Sequence, residues 1–230
     1  AQAQYDPANG TLQLSGTDAD GGSRVTDAQI EIDADTIDVT LEGRRMTASG
    51  SVKTLMHSGG AGRLPGLLQQ GEAANVSAGT LDYQGAAGAA VYAGEATLWQ
   101  GETAIRADVI TLDQTRADLI ASGAARSNIV FDTGEVIGRA AEIRYDDGTR
   151  TIIYQGQAPA PTPTPTTATL TPAPALTPVP TPTLPPAPTS PLAQTPTLAA
   201  APTLAPVSVG TPAQLSGPQG DLRANRIEVI

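Results

Sequence analysis

The sequence predicts an all-β protein built on a short internal repeat, with strands that bend around a shared apolar interior. Three observations lead there. The first is a recurring frame: an Ala, two alternating residues of the interior, and a Gly sixteen residues after the Ala. It reads Ala78, Leu81, Tyr83, Gly94, then Ala107, Ile110, Leu112, Gly123, and it also fits Ala34, Ile37, Val39, Gly50 and Ala140, Ile143, Tyr145, Gly156. Partial copies stand at Tyr5 and Gly16 and at Ala224, Ile227 and Val229. A repeat this short constrains the whole architecture. The second is strand-like alternation that changes parity at one point of each copy, as in Ile105 and Ala107 against Ile110 and Leu112, or Leu222 and Ala224 against Ile227 and Val229. Successive strand residues face opposite sides, so a parity change marks a bulge or a corner. The third is the near absence of helical periodicity.

Taken in order, YDPANG supplies a turn and TLQLSG a short alternating strand. Thr17–Gly22 reads as a loop; Asp18 and Asp20 resemble the start of a calcium loop, but Gln29 stands where a bidentate Glu is needed, so a solvated turn is the reading. From Ala28 to Lys53 the alternation runs Ile30, Ile32, Ala34, then Ile37, Val39, Leu41. Residues 54–74 break it with a Gly-rich loop, in which Leu64, Leu67 and Leu68 are placed to make one helical turn after Pro65. Turns follow at Gln84–Gly88, Gln114–Ala117 and Asp146–Gly148, the last an Asp-Gly hairpin signal between strand formers.

Beyond Gly156 the composition changes. No charged residue occurs between Gln157 and Gly220, and all prolines but Pro7 and Pro65 fall between Pro159 and Pro218. Proline removes ladder donors, so this stretch is expected to be extended, polyproline-like and disordered. The repeat then resumes, since AQLSGPQGDLRANRIEVI aligns with GEATLWQGETAIRADVITL. The expected organisation is therefore 1–156 as β-repeats, 157–212 as a Pro/Thr-rich insertion, and 213–230 as returning strands of the same fold. An insertion at a hairpin tip costs little, because closure entropy grows only logarithmically with length. The block reads either as a spacer or glycan-bearing stalk, or as an inert insertion.

Charge and composition exclude several functions. Against 13 basic residues there are 23 acidic ones, for a net charge of −10, with no basic cluster, so nucleic acid is not an expected partner. There is no cysteine, hence no disulfide framework and no thiolate metal site. A single histidine, His57, sits in the Gly-rich loop without a nucleophile or metal-ligand pattern around it, and no cofactor is expected. A glycosidase-like reading would need facing carboxylates, whereas Asp33, Asp35, Asp108 and Asp113 fit outward strand or turn positions. The chain is thus not expected to be an enzyme. No apolar run is long enough to span a membrane and no signal peptide is visible. Opening inside a repeat and closing on IEVI, the chain reads as a mature or truncated product, or as offering an edge to a partner.

The segment spelled by Ala90, Tyr92, Gly94, Ala96, Leu98, Trp99, Gln100, Gly101, Ile105, Ala107, Asp108, Ile110, Leu112 and Asp113, continued by LIASGAARSNI, resembles the OstA-like family, the LptA/LptC/N-terminal LptD group of lipopolysaccharide-transport proteins, and is nearest to LptA-like members. Ala125 stands where Val is usual. The resemblance covers 4–56, 75–156 and 213–230, about two thirds of the chain, and the Pro/Thr insertion departs from it. It implies a twisted β-jellyroll, open along one side, whose interior holds lipid acyl chains. It also implies a periplasmic bridge between inner and outer membranes in a Gram-negative cell, serving outer-membrane biogenesis. Implied partners are lipopolysaccharide and other Lpt-type jellyrolls joined by edge-strand addition, with a head-to-tail homo-oligomer as one form.

On that basis the candidate groove lining is Ile37, Val39, Leu81, Tyr83, Leu98, Ile110, Leu112, Ile143, Tyr145, Ile227 and Val229. An aliphatic lining suits flexible chains, because apolar burial is non-directional and worth about 25 cal/mol per Å². With an acidic surface, acyl burial rather than phosphate binding would be the main attraction. The same residues equally suit a closed core. Trp99 reads as a cross-strand partner or a rim residue, and Tyr83, Tyr92, Tyr145 and Tyr154 as structural repeat positions. The alternative function is a structural β-repeat, solenoid or adhesin-like, that self-assembles through strand edges without lipid. Uneven spacing of Ala34, Ala78, Ala107, Ala140 and Ala224 argues against solenoid rungs.

Overall fold

The computed structural model describes residues 2–16, 22–27, 30–57, 63–131, 134–157 and 210–230. These form one antiparallel sheet, without a helix among the described residues. Its strands are β1 (Gln2–Asp6), β2 (Thr11–Ser15), β3 (Ser23–Thr26), β4 (Ile30–Ala34), β5 (Thr36–Thr40), β6 (Arg45–Met56), β7 (Ala74–Gln84), β8 (Ala89–Gln100), β9 (Thr103–Asp113), β10 (Asp118–Phe131), β11 (Gly134–Asp146), β12 (Thr151–Gln155), β13 (Ala213–Gly217), β14 (Gly220–Ala224) and β15 (Arg226–Val229).

Each long strand is bent at its middle, where the pairing register shifts: between Ser49 and Val52, Ser77 and Thr80, Ala93 and Ala96, and Ser122 and Ala125. The bends line up into a crease that divides the sheet into two leaves. Neighbouring strands make the corner differently. In β9 one residue, Asp108, occupies it, and the buried set changes parity from Ile105 and Ala107 to Ile110 and Leu112. In β8 two residues, Gly94 and Glu95, occupy it and parity is kept. Two successive left-handed residues are what the two-residue corner requires: Gly94 and Glu95 have φ of 83° and 54°, Gly123 and Ala124 82° and 45°, Gly50 and Ser51 79° and 48°. The sixteen-residue Ala–Gly spacing follows directly. The Ala precedes the one-residue corner of one strand, and the Gly begins the two-residue corner of the next, one half-hairpin later. Asp35 stands against Gly50 in this way and Asp108 against Gly123.

The shorter strands are half-strands of the same plan. β4 and β5 both pair with β6, β12 and β13 both pair with β11, and β14 and β15 extend β13 and β12. The first leaf therefore contains β1, β2, β5, β12, β15 and the matching halves of β6–β11; the second contains β3, β4, β13, β14 and the other halves.

The insertion consequently lies at the crease, not at a hairpin tip. β12 stops at Gln155 and β13 resumes the same line along β11 at Ala213, so Glu142 faces Gln155 and Arg139 faces Gln214. The exit and return are joined: Gln157 N donates to Thr211 O at 2.8 Å, and Gly156 N to Asn225 O at 2.7 Å. The chain leaves β2 at the same level, where Gly16 N donates to Asp35 O at 2.9 Å, and re-enters at β3. The expectations of disorder for 157–212 and of a solvated loop at Asp18 and Asp20 fall on 158–209 and 17–21, outside the described residues.

Candidate functional site

The inner face of the sheet is laid down by cross-strand rows. In the first leaf one row runs Ile37, Ala48, Leu81, Tyr92, Ile110, Ala121, Ile143, Tyr154, Ile227. A second runs Val39, Met46, Tyr83, Ala90, Leu112, Leu119, Tyr145, Ile152, Val229. All the candidate lining residues except Leu98 fall in these two rows; Leu98 lies in the facing row of the second leaf, Ile32, Thr54, Val76, Leu98, Ile105, Ser127, Gly138, Leu215, Leu222. Burial of each row follows from having a partner row opposite. Ile37, Leu81, Leu98, Ile110, Leu112, Ile143, Tyr145 and Ile227 are buried, and Val39, Tyr83 and Val229 are partly buried against them. Trp99 has the opposite parity, pairing with Asn75 and Ala104 on the outer face.

Through much of its length this interior is filled by the protein itself. Two tyrosines of the first leaf, Tyr154 and Tyr92, meet a small or hydroxylated residue of the second. Tyr154 reaches Ser127, hydroxyl to hydroxyl, at 2.8 Å, and its ring lies over Gly138, where any Cβ would overlap it. Tyr92, wholly buried, points at the Thr54 hydroxyl without hydrogen-bond geometry, and neither oxygen has another partner. Burial pushes the Tyr92 hydroxyl up to about 12, an effect the neighbouring Thr54 partly offsets. Tyr145 is also pushed up to about 12, first by burial and then by its bond to the Asp147 carboxylate at 3.1 Å.

These differences predict distinct behaviour. Tyr154→Phe strands the Ser127 hydroxyl and should cost about 1–2 kcal/mol in denaturant unfolding, whereas Tyr92→Phe, which removes an unbonded hydroxyl, should change stability by less than about 0.5 kcal/mol. With a folded pKa raised above its unfolded value, Tyr92 contributes fully below pH 10. That contribution is lost as the pH rises from 10 to about 12, at about 1.4 kcal/mol per pH unit. Alkaline unfolding of the Tyr92→Phe protein should be correspondingly shallower.

Among the described residues, the free sides of the leaves meet a bridging segment at one place and a cavity at another. The free sides of the leaves are bridged by residues 63–73. Arg63 N donates to Gln114 O at 3.0 Å at the lip of the first leaf, while Gln69 N donates to Gln100 Oε1 at 2.6 Å at the lip of the second. If straight, the chain from Gln100 to Gln114 would span about 46 Å, yet Arg63 and Gln69 lie at most about 22 Å apart, so β9 must fold the leaves together at Asp108. The expected helical turn is a single hydrogen-bonded turn, with Leu68 N donating to Pro65 O at 2.9 Å. The cavity is at the β14–β15 end. There, a volume of about 740 Å³ is lined by Phe131, Val136, Leu215, Leu222, Val229 and Ile230, together with the turn Gly217–Gly220.

Of the cavity's lining only Val229 is among the residues chosen from the sequence. Leu222 shows why. Its counterpart Ile105 is 1% exposed between two strands, but Leu222 on the outermost strand β14 is 57% exposed. Repeat position alone does not distinguish them.

Asp33 binds Arg24 at 2.7 Å and Asp113 binds Arg116 at 2.8 Å, while Asp35, between β4 and β5, stands against Gly50, and Asp108, in β9, stands against Gly123. Among the described residues no group of three His, Asp or Glu is placed to hold a metal ion.

Residues 75–162 match the family model of the LptA/(LptD N-terminal domain) LPS transport proteins. No curated protein matches the chain. Among solved structures, LptH from Pseudomonas aeruginosa, described as the LptA homologous periplasmic component of the conserved lipopolysaccharide transport device, is similar at 16% identity. The match covers 54% of this chain and 78% of that one, with a TM-score of 0.44. The segment from β7 through β12 is thus similar to the LptA/(LptD N-terminal domain) LPS transport proteins, the group its motifs resemble.

Proposed function

We propose that the chain is a non-catalytic, periplasmic lipopolysaccharide carrier that shelters acyl chains between its two leaves on the way from the inner to the outer membrane. The observation that carries this reading is the interior itself. Rows of mainly apolar side chains run the length of a folded sheet and reach, at the β14–β15 end, a cavity of about 740 Å³ whose lining is mostly apolar, with Gln219 and Asp221 at it. That size lies within the range of small-ligand pockets. A net charge of −10 leaves hydrocarbon burial as the main source of affinity. The outermost strands β1, β3, β14 and β15 offer edges that other Lpt-type jellyrolls, or further copies of this chain, would extend by strand addition.

The test is displacement of a fluorescent acyl-chain probe from purified protein by lipopolysaccharide, with delipidated core polysaccharide as control. Displacement by the lipid-bearing molecule alone is the expected result. Leu222→Asp, at an exposed position of the cavity, should leave stability within about 0.5 kcal/mol and weaken probe binding about tenfold. Absence of probe binding by folded protein would leave a structural repeat module, braced by Tyr154 and filled by its own side chains, as the reading.

A further inference from the structure

The segment that bridges the free sides of the two leaves is fastened differently from the strands beside it. Residues 63–73 have no strand pairing; they are held at a few points. At the second-leaf lip the buried Gln100 carboxamide takes the Gln69 N–H and donates to Gln69 O and Glu72 O, each at 3.0 Å. At the first-leaf lip Asp147 accepts from Gly66 N at 3.0 Å and pairs with Arg63 at 3.1 Å. Between these anchors the strap pushes hydrocarbon inward. Leu68 is 3% exposed and belongs to the core, and Leu64 and Leu67 pack against it. The strap's leucines therefore occupy the mouth through which an acyl chain would enter from the side.

We infer that this strap is a displaceable gate, opening independently of the sheet and yielding the places of its leucines to lipid hydrocarbon. The inference rests on the carrier reading and adds the regulation of its lateral entrance. Few bonds need to break, and each anchor becomes accessible to water as it opens. Exchanging leucine for an acyl chain keeps the interior apolar, so the open state is stabilised by lipid and disfavoured without it. Segments with few ladder bonds are also those that open below the global unfolding free energy.

The chain lacks cysteine, so single-cysteine labelling reads the gate directly. Leu68→Cys on the strap should react with a thiol reagent at least 100-fold faster than Ala121→Cys in the sheet, although both positions are buried. Lipopolysaccharide should raise the Leu68→Cys rate severalfold and delipidated core polysaccharide should not. Amide exchange of Leu68 and Gln69 against β9, in the unsubstituted protein, makes the same comparison without disturbing the strap. Equal rates at strap and sheet would overturn the gate. Probe displacement by lipopolysaccharide with an unchanged Leu68→Cys rate would overturn it while leaving the carrier reading in place. Failure of lipopolysaccharide both to displace the probe and to change the labelling would remove both.

Discussion

Gly138→Ala is expected to cost about 3 kcal/mol, although it adds one methyl group and Gly138 has no left-handed backbone to lose. The added Cβ would overlap the Tyr154 ring and lie 2.8 Å from Ser127 Oγ. Tyr154 is wholly buried with its hydroxyl held by Ser127, so it can move only by breaking that bond and shifting the leaf behind it. Chemical denaturation of Gly138→Ala, Tyr154→Leu and the double variant measures this. Removing the ring should recover most of the Gly138→Ala penalty, giving a coupling of about 2 kcal/mol. Additive losses would mean that the two leaves are not braced here.

Ile110→Asp should have the largest effect of any single change in the first leaf. Ile110 is wholly buried, flanked by Tyr92 on β8 and Ala121 on β10. Substitution removes about 2–3 kcal/mol of apolar burial and places a carboxyl group where no partner can reach it, for a total of about 5 kcal/mol or more. That approaches the whole stability of a typical domain, and loss of cooperative thermal unfolding is the expected readout. The same substitution at Leu112, 2% exposed in the neighbouring row, should behave alike. Neither variant therefore reports on ligand contact; exposed Leu222 does.

The repeat made the architecture legible because one unit carries both strand periodicity and corner chemistry. Ile105, Ala107, Ile110 and Leu112 announce the corner of β9 by their parity, whereas Gly123 is legible only as a repeat position and the structure shows it at the corner of β10. Local chemistry marks the turn at Gln114–Ala117 and places the next at Asp146–Gly148, which the structure shows at 147–150. What the sequence leaves hidden depends on contacts with no period. Gln100 and Asp147 look like ordinary strand-end and turn residues, and nothing local says that both hold the strap. Thr54 and Ser127 interrupt an apolar row, a polar signal that becomes intelligible only when Tyr92 and Tyr154 are seen facing them. The position of the insertion is hidden for a related reason. Gly156 occupies the corner position of its copy, so the repeat itself marked the crease, but insertions are ordinarily found at hairpin tips.

The bond between Gln157 and Thr211 has a consequence for how this protein can vary. Exit and re-entry share one address, so the register of β12 against β13 does not depend on the length or composition of what lies between them. A strand normally transmits every added or deleted residue to its neighbours as a slip, exchanging inner for outer faces. Here the slip is absorbed at a junction that already tolerates irregular backbone. The chain can lengthen, shorten or be rewritten between those two residues while the inner rows stay in phase, which separates change in sequence from change in fold.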